Sequence, residues 1–174
     1  MKIRELQKGR RKETQDQIDA SLADRTPQEW AFLAGFIDGE GCIAVYENKG
    51  RSGYMQVSFS IRAANCDPRI IEWLKDRFGG GTTKRGGARA GSGRWREAYT
   101  WYALNRRAAT IMRAIRPYTV IKGEQIDLAL KFRETYGAAR DPVTGRNGSV
   151  PTHVRAARAV LLADIKALKH RSFN

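Results

Sequence analysis

The fold of this chain is decided by the stretch Trp30-Ala31-Phe32-Leu33-Ala34-Gly35-Phe36-Ile37-Asp38-Gly39-Glu40-Gly41. The four residues before it, Thr26-Pro27-Gln28-Glu29, have the form of a capping box with proline at the first helical position. Glycine is common just past the end of a helix, and Gly41 stands at that place. These signals predict a helix that begins near Pro27 and ends before Gly41.

The sides of this predicted helix differ in bulk. Small residues recur every four positions, at Ala31, Gly35 and Gly39. Bulky apolar residues form another face, made of Phe32, Leu33, Phe36 and Ile37. Glycine in a helix interior costs about 1 kcal/mol relative to alanine, so two glycines in one short helix need a structural reason. We expect the bulky face to enter the core and the small face to allow close approach of a second helix.

Acidic residues stand at the end of this helix, where the macrodipole disfavours them. Asp38 and Glu40 lie in its last turn, next to the negative pole. If an identical helix packs against the small face, two Glu40 side chains come close together, and a proton or a divalent cation must offset their repulsion. A hard cation held by oxygen ligands supports phosphodiester hydrolysis. The alternative is a buried helix whose acids simply face water.

The composition indicates a single basic globular domain. The chain has 174 residues, 41% hydrophobic residues and a formal net charge of +14, which points to a polyanion such as nucleic acid as partner. A ribosome-associated or merely basic protein is the alternative. Cys42 and Cys66 lack metal-ligand spacing and indicate a reducing compartment. Residues 1–25 are charged and polar, without the apolar region of a secretory signal, and the longest apolar run, near residues 30–37, is too short to span a bilayer. We therefore expect an intracellular protein that is not secreted and does not contact a membrane.

The periodicity along the chain predicts an α+β fold. Residues 1–25 read as a basic N-terminal extension, solvated or DNA-contacting, and residues 26–174 as one domain. After Gly41 the period changes to two, which predicts a hairpin over 42–46 and 54–62. A helix is expected from Asp67-Pro68 to the glycines at 79–81, then strands from about Thr82 and over 98–104. Helices are expected at 106–116, 122–136 and 153–170.

The predicted sheet offers a surface that suits DNA, because a two-stranded ribbon fits the major groove. Its candidate residues on one face of the hairpin are Ala44, Tyr46, Tyr54, Gln56, Ser58, Ser60 and Arg62. A basic, glycine-rich segment after the third strand adds Lys84, Arg85, Arg89, Arg94 and Arg96, which are suited to phosphate contacts. The alternatives are an ordinary solvated sheet face and a surface loop without a role.

The nine residues from Leu33 to Gly41 resemble the signature of the LAGLIDADG homing endonucleases. One copy is visible, which is similar to the branch that works as homodimers. The resemblance covers roughly residues 28–170 in the same order. It continues through Phe59-Ser60-Ile61, the run 74–81, Pro117-Tyr118, the run 122–130 and the run 164–168. It implies an αββαββα fold with a saddle-shaped antiparallel sheet over DNA, extra C-terminal helices, and the signature helix at the dimer seam.

The same resemblance implies roles for individual residues. Glu40 occupies the position of the metal-binding carboxylate, and the Gly39 carbonyl is expected to touch the same Mg²⁺. Lys122 corresponds to the basic residue near the scissile phosphate, whereas Asp38 is expected to be structural. The dimer interface is expected at Ala31, Ala34, Gly35, Asp38 and Gly39. The chain departs from the family at the position of a water-holding glutamine, where it has Ala63; Asn65 is a nearby substitute.

Our leading hypothesis is therefore a sequence-specific, Mg²⁺-dependent DNA endonuclease. It would act as a homodimer on a long pseudo-palindromic double-stranded site, with no cofactor beyond the divalent metal. The alternative is a nucleic-acid-binding protein of the same fold without nuclease activity, such as an intron maturase or a transcription regulator. A generic basic RNA-binding protein is a third reading.

Overall fold

The computed structural model describes residues 13–49, 55–85, 97–136 and 150–169. Its elements, in chain order, are α1 (Gln15–Leu22), α2 (Pro27–Glu40), β1 (Gly41–Lys49), β2 (Met55–Asn65), α3 (Pro68–Phe78), β3 (Gly81–Arg85), β4 (Ala98–Leu104), α4 (Asn105–Ile115), a 3₁₀ turn (Arg116–Tyr118), α5 (Gly123–Glu134) and α6 (Thr152–Lys169). The predicted αββαββα order is confirmed over α2 to α4, with α1 before it and α5 and α6 after it.

Local capping explains where the central helices begin and end. The Thr26 hydroxyl accepts the N–H of Glu29, and the Glu29 carboxylate accepts the N–H of Thr26, so the predicted capping box starts α2. A Cβ at Gly41 would lie 2.5 Å from the Ile37 carbonyl, and this close approach requires glycine at the turn into β1. Gly79 ends α3 with φ 66°, a conformation that glycine adopts without strain.

The four strands form one antiparallel sheet in the order β1-β2-β4-β3. One face is buried with residues of the helices in a single core, to which the sheet contributes Ile43, Val45, Phe59, Ile61, Trp101 and Ala103. The other face, called here the open face, carries the alternate residues, and most of these are half-buried or exposed. This arrangement confirms the α+β class.

Helix α1 belongs to the core of the domain. Ile18 and Leu22 are buried. The buried Arg107 guanidinium of α4 donates to the Glu13 carboxylate at 2.8 Å and to the Phe78 carbonyl at 3.0 Å, so one side chain ties α1, α3 and α4 together. The segment that we expected to extend from the domain therefore joins it from Gln15 onward. Leu6 and the basic residues before Glu13 lie outside the described residues.

The buried face of helix α6 includes a charged residue. Apolar spacing alone would turn Val154, Ala157, Val160 and Ile165 inward; Val154 and Ile165 are buried, but Ala157 and Val160 are exposed, and Arg158 is buried. The Arg158 guanidinium donates to the Thr135 hydroxyl at 2.8 Å and lies over aromatic rings of α5 and the turn after it. The apolar pattern of α6 alone places the inward stripe about one position away from the face that is buried, because a buried, hydrogen-bonded arginine looks like a surface residue in sequence. Within the described ranges, no helix has the length and apolarity to cross a membrane.

Candidate active site and nucleic-acid interface

The candidate site lies at the C-terminal end of α2. Glu40 is the last residue of this helix and is exposed. No hydrogen bond or ion pair engages its carboxylate among the described residues. Both carboxylate oxygens are therefore available to a ligand from outside the protomer, at a helix pole that already carries negative partial charge.

The carboxylate of Asp38, two residues before Glu40, is engaged in hydrogen bonds within the protomer. Its carboxylate accepts the backbone N–H groups of Val120, Ile121 and Lys122 at 2.7, 3.1 and 2.9 Å. These donors belong to the segment just before α5, and Lys122 is the N-cap residue of that helix. The expected structural role of Asp38 has a clear physical basis in this contact: it clamps the segment that precedes α5 to the end of α2.

Lys122 is brought to the same end of α2 by this clamp. Its ammonium donates to the Ile37 carbonyl at 2.8 Å and to the Asp38 carbonyl at 2.5 Å. A cation at a helix C-terminus offsets the negative pole, and an ammonium has three donors, so one remains after these two bonds. The geometry thus unites two residues that are 82 positions apart in the chain, Glu40 and Lys122, at one pole of one helix.

The small residues of α2 face outward. Ala31, Gly35 and Gly39 are exposed, and a Cβ built on Gly35 or Gly39 would meet nothing within 4 Å. No contact inside the described protomer therefore explains why these two positions are glycine rather than the better helix former alanine. The exposed stripe through Ala31, Gly35 and Gly39 is called here the glycine face.

Two predictions about α2 need correction. Ala34, expected at the dimer interface, is completely buried with Leu33 and Ile37 in the core. Phe32, expected in the core, is 48% exposed and packs edge-on against Trp73 of α3 at 5.2 Å between ring centroids. At 100° per residue, Ala34 lies on the side of Leu33 and Ile37, whereas Phe32 lies nearer the glycine face. Phe32 was misassigned from its size, and the interface role of Ala34 came from the resemblance.

The donors at this helix end suit a hard cation but do not complete its coordination. The Glu40 carboxylate and the Gly39 carbonyl, which is in the last turn of α2, are the oxygen donors that Mg²⁺ and Ca²⁺ prefer. No group of three or more His, Cys, Asp or Glu residues suitable for a metal occurs in the described part of the chain. A cation held here would draw its remaining ligands from another molecule or from water.

The open face of the sheet contains several of the predicted DNA-contacting residues. Tyr46 is exposed and Ala44, Ser58 and Arg62 are half-buried. Ser60 differs, because it has no exposed surface and its hydroxyl accepts the Arg62 Nε–H at 3.1 Å. In this structure Ser60 supports Arg62 and does not itself offer a surface to DNA.

Lys84 was expected in a basic segment after the third strand, but it lies within β3, on the opposite face from Arg85. It pairs in register with Tyr99, on the side of the buried Trp101. Its ammonium is 2.8 Å from the Glu97 carboxylate, and the hydrogen bond it donates holds the pKa of Glu97 below its ordinary value. The strand alternation moves Lys84 off the open face and leaves Arg85 on it.

Three open-face residues were missed by the sequence analysis: Thr83, Thr100 and Tyr102. They share the face of Arg62 and Arg85 because β4 pairs with β2 and β3 in the registers Arg62 with Tyr102 and Thr83 with Thr100. The Tyr102 ring lies over Gly81, where a Cβ would come within 2.5 Å of it. Knowing that Trp101 points into the core would have placed Thr100 and Tyr102 by alternation.

The resemblance expects a water-holding glutamine where the chain has Ala63, and the nearby substitute, Asn65, is engaged at the start of α3. Ala63 is buried and pairs with Gly41. The Asn65 carboxamide oxygen accepts the Asp67 N–H at 2.8 Å at the start of α3. The predicted DNA-binding residues Tyr54, Arg89, Arg94 and Arg96, and the side chain of Gln56, lie outside the described part of the structure.

Comparisons with known structures agree on the fold. The homing endonuclease I-CvuI, solved with the I-CreI target in the presence of Mg, superposes with a TM-score of 0.62 at 19% identity, over 84% of this chain and 85% of that chain. The archaeal intron-encoded homing endonuclease I-Vdi141I, complexed with DNA, gives 0.61 at 13% identity, over 84% and 87%. I-SmaMI, bound to uncleaved DNA with calcium ions, gives 0.54 at 20% identity, over 87% of this chain but 47% of that chain.

The family model described as LAGLIDADG endonuclease matches residues 33–134, which is more than half of the chain. No curated protein sequence matches the chain significantly. The matched residues include Gly35 and Gly39 of the glycine face, Glu40, the sheet, Lys122 and all of α5. The chain therefore belongs to the LAGLIDADG endonuclease family, a family of DNA endonucleases.

Proposed function

We propose that two copies of this chain form a divalent-metal-dependent endonuclease that cleaves both strands of a long pseudo-palindromic DNA site. The observation that carries this proposal is the Glu40 carboxylate. It has no partner in the described protomer and ends the helix that exposes the glycine face. An acid at the negative pole of a helix is unfavourable, and its presence is explained if its carboxylate binds a ligand from outside the protomer.

The dimer is supported by the glycine face. Gly35 and Gly39 are two helix-interior glycines for which no contact in the described protomer gives a reason, and a closely packed second α2 supplies one. A two-fold axis along the glycine face would bring both Glu40 side chains to the middle of the particle.

The catalytic roles follow from what each side chain offers. Mg²⁺ held by Glu40 and the Gly39 carbonyl would supply Lewis-acid stabilisation of charge on the phosphate and leaving oxygen. Lys122 keeps its ammonium at the same helix pole through two carbonyl contacts, where its remaining donor can stabilise the negative charge that develops on the phosphate. Asp38 acts only by holding the Lys122 segment.

DNA recognition is assigned to the open face. Tyr46, Ser58, Arg62 and Arg85 supply hydrogen-bonding groups there, and the net charge of +14 favours a polyanion. Cys42 and Cys66 are free thiols, and with a DNA substrate they support a location inside the cell.

Cleavage of a randomised plasmid pool tests the proposal. Supercoiled plasmids that carry a randomised insert are incubated with the protein and Mg²⁺, with EDTA as the control, and the ends of linear products are sequenced. We expect a recurrent two-fold-related sequence at the ends, no product in EDTA, and no product with Glu40→Gln. Glu72→Gln, which removes an exposed carboxylate from α3, is the matched variant and should cut like the wild type.

The outcome also separates the two hypotheses for this fold. Selective binding of one sequence without metal-dependent strand breaks would overturn the nuclease and support the inactive nucleic-acid-binding protein. Undiminished cutting by Glu40→Gln would overturn the assignment of the metal ligand while leaving the nuclease in place.

A further inference from the structure

Arg62 occupies a distinctive position on the open face. It lies on β2, which is hydrogen-bonded on both sides, and it stands opposite Cys42 on β1 and Tyr102 on β4. Neither neighbour is an acid, and within the described ranges Arg62 forms no ion pair. The guanidinium is therefore a positive group near the middle of the surface to which the proposed function assigns DNA.

A hydrogen bond to Ser60 restrains the Arg62 side chain. Its Nε–H donates at 3.1 Å to the hydroxyl of Ser60, and Ser60 has no exposed surface. A buried hydroxyl that already lies beneath the guanidinium fixes the direction of the side chain before any ligand arrives. This reduces the rotamer entropy that a flexible arginine loses when it binds.

The remaining donors define what Arg62 can recognise. With Nε engaged, the two terminal nitrogens stay free at the outer edge of a planar fork. A pair of parallel N–H donors in the major groove matches the O6 and N7 acceptors of guanine, and the other bases present no such pair of acceptors there. A phosphate can also take two parallel N–H bonds from an arginine, but Arg62 lies on a central strand of the face that meets the groove, where base edges are presented.

We propose that Arg62, oriented by Ser60, is the specificity-determining residue for one guanine in each half of the DNA site. This inference rests on the proposed function and adds a named base to it. Arg62 adjoins Ala63, which pairs with Gly41 directly after Glu40. The guanine that it reads is therefore close to the cleavage position, and the two-fold axis of the dimer repeats it at equal distance on the other side.

Selection of randomised duplexes by binding, in EDTA so that no DNA is cut, tests this assignment. The wild type should enrich a guanine at one pair of positions related by two-fold symmetry near the centre of the site. Arg62→Ala should lower the preference for that guanine by about 10- to 100-fold while the preferences at other positions stay. Ser60→Ala, which keeps the Cβ and removes only the hydroxyl, should lower the same preference by a smaller factor.

Arg113→Ala is the matched control, because it removes an exposed arginine from α4, away from the open face; it should leave the guanine preference intact. Circular dichroism verifies that each variant is folded. If Arg62→Ala weakens binding to all sequences alike, with an unchanged consensus and a salt dependence reduced by about one phosphate contact, Arg62 binds the backbone and the inference is wrong. It is wrong as well if Ser60→Ala leaves the preference unchanged.

Failure of the proposed function has a different signature. A selected pool without enrichment at any position overturns sequence-specific recognition and, with it, the guanine assignment. A pool that keeps the guanine, in a protein that cuts no DNA with Mg²⁺, supports the role of Arg62 and overturns only the nuclease.

Discussion

Replacement of Gly35 by alanine should have opposite effects on the protomer and on the dimer. The added methyl meets nothing within 4 Å in the protomer, so the helix gains about 1 kcal/mol in propensity. In the dimer the same methyl enters the seam between two α2 helices, where overpacking costs about 1–3 kcal/mol. A symmetric seam contains two such methyls, and the dissociation constant should rise by at least about tenfold.

Two measurements separate these effects. Sedimentation equilibrium gives the dissociation constant, and urea unfolding at concentrations where the variant is monomeric gives the free energy of unfolding of the protomer. Val160→Ala is the matched control, since Val160 is 60% exposed on α6 and the change also improves helix propensity. It should stabilise the fold slightly and leave the dissociation constant unchanged.

A Gly35→Ala protein that dimerises as tightly as the wild type would refute this reasoning. It would mean that the glycine face is not the seam, since no backbone then approaches position 35. A lower free energy of unfolding for the monomeric variant would contradict the open space described around that residue.

Three other substitutions test parts of the structure that support the site. Asp38→Ala deprives three backbone N–H groups of their acceptor, so unfolding should become easier by about 1–3 kcal/mol and cleavage should slow because Lys122 is no longer held; an unchanged cleavage rate would contradict the clamp. Hydrogen bonding from Arg77 lowers the pKa of Glu29 from 4.5 to about 2, so its stabilising effect is present above pH 4.5 and is lost as the pH falls toward 2; the difference in Tm between wild type and Glu29→Gln should shrink over that range, and a constant difference would exclude the ion pair as its source. Ile18→Ala should cost about 2–5 kcal/mol in urea unfolding, whereas a detachable N-terminal extension would show almost no loss.

Most of the element boundaries could be predicted because their causes are local. The capping box at Thr26, the N-cap Asp67 with Pro68, and Gly79 each act on neighbouring backbone groups. The position of β4, from Ala98 to Leu104, also follows from its own residues. Signals of this kind depend on a few adjacent positions, so sequence alone contains them.

The errors come from contacts between distant parts of the chain. Arg158 is buried because the Thr135 hydroxyl accepts its hydrogen bond and aromatic rings lie against its guanidinium. No neighbour in sequence indicates this. Lys84 belongs to β3 rather than to the basic segment after it, because it pairs with Tyr99 of β4. Ser60 is buried by Arg62 on the face that alternation alone marks as open.

The residues of the candidate site could be named from the sequence, but the hydrogen bonds that position them could not. Glu40 and Lys122 followed from resemblance to the family, whereas their meeting at one helix pole is seen only in the fold. The three hydrogen bonds to Asp38 connect positions more than 80 residues apart. Physical reasoning from sequence had only established that an acid at a helix C-terminus is unfavourable without a partner.

The most direct test of the central claim uses a mixed dimer with one wild-type subunit and one Glu40→Gln subunit. The two subunits carry different affinity tags, the mixed species is purified through both, and its nicked and linear plasmid products are compared with those of the wild-type dimer in Mg²⁺. If two Glu40 carboxylates converge on one DNA site, the mixed dimer should lose double-strand cleavage and leave at most one strand nicked. Linearisation at the wild-type rate, or failure to obtain any mixed dimer from a chain that cuts as a monomer, would contradict the account.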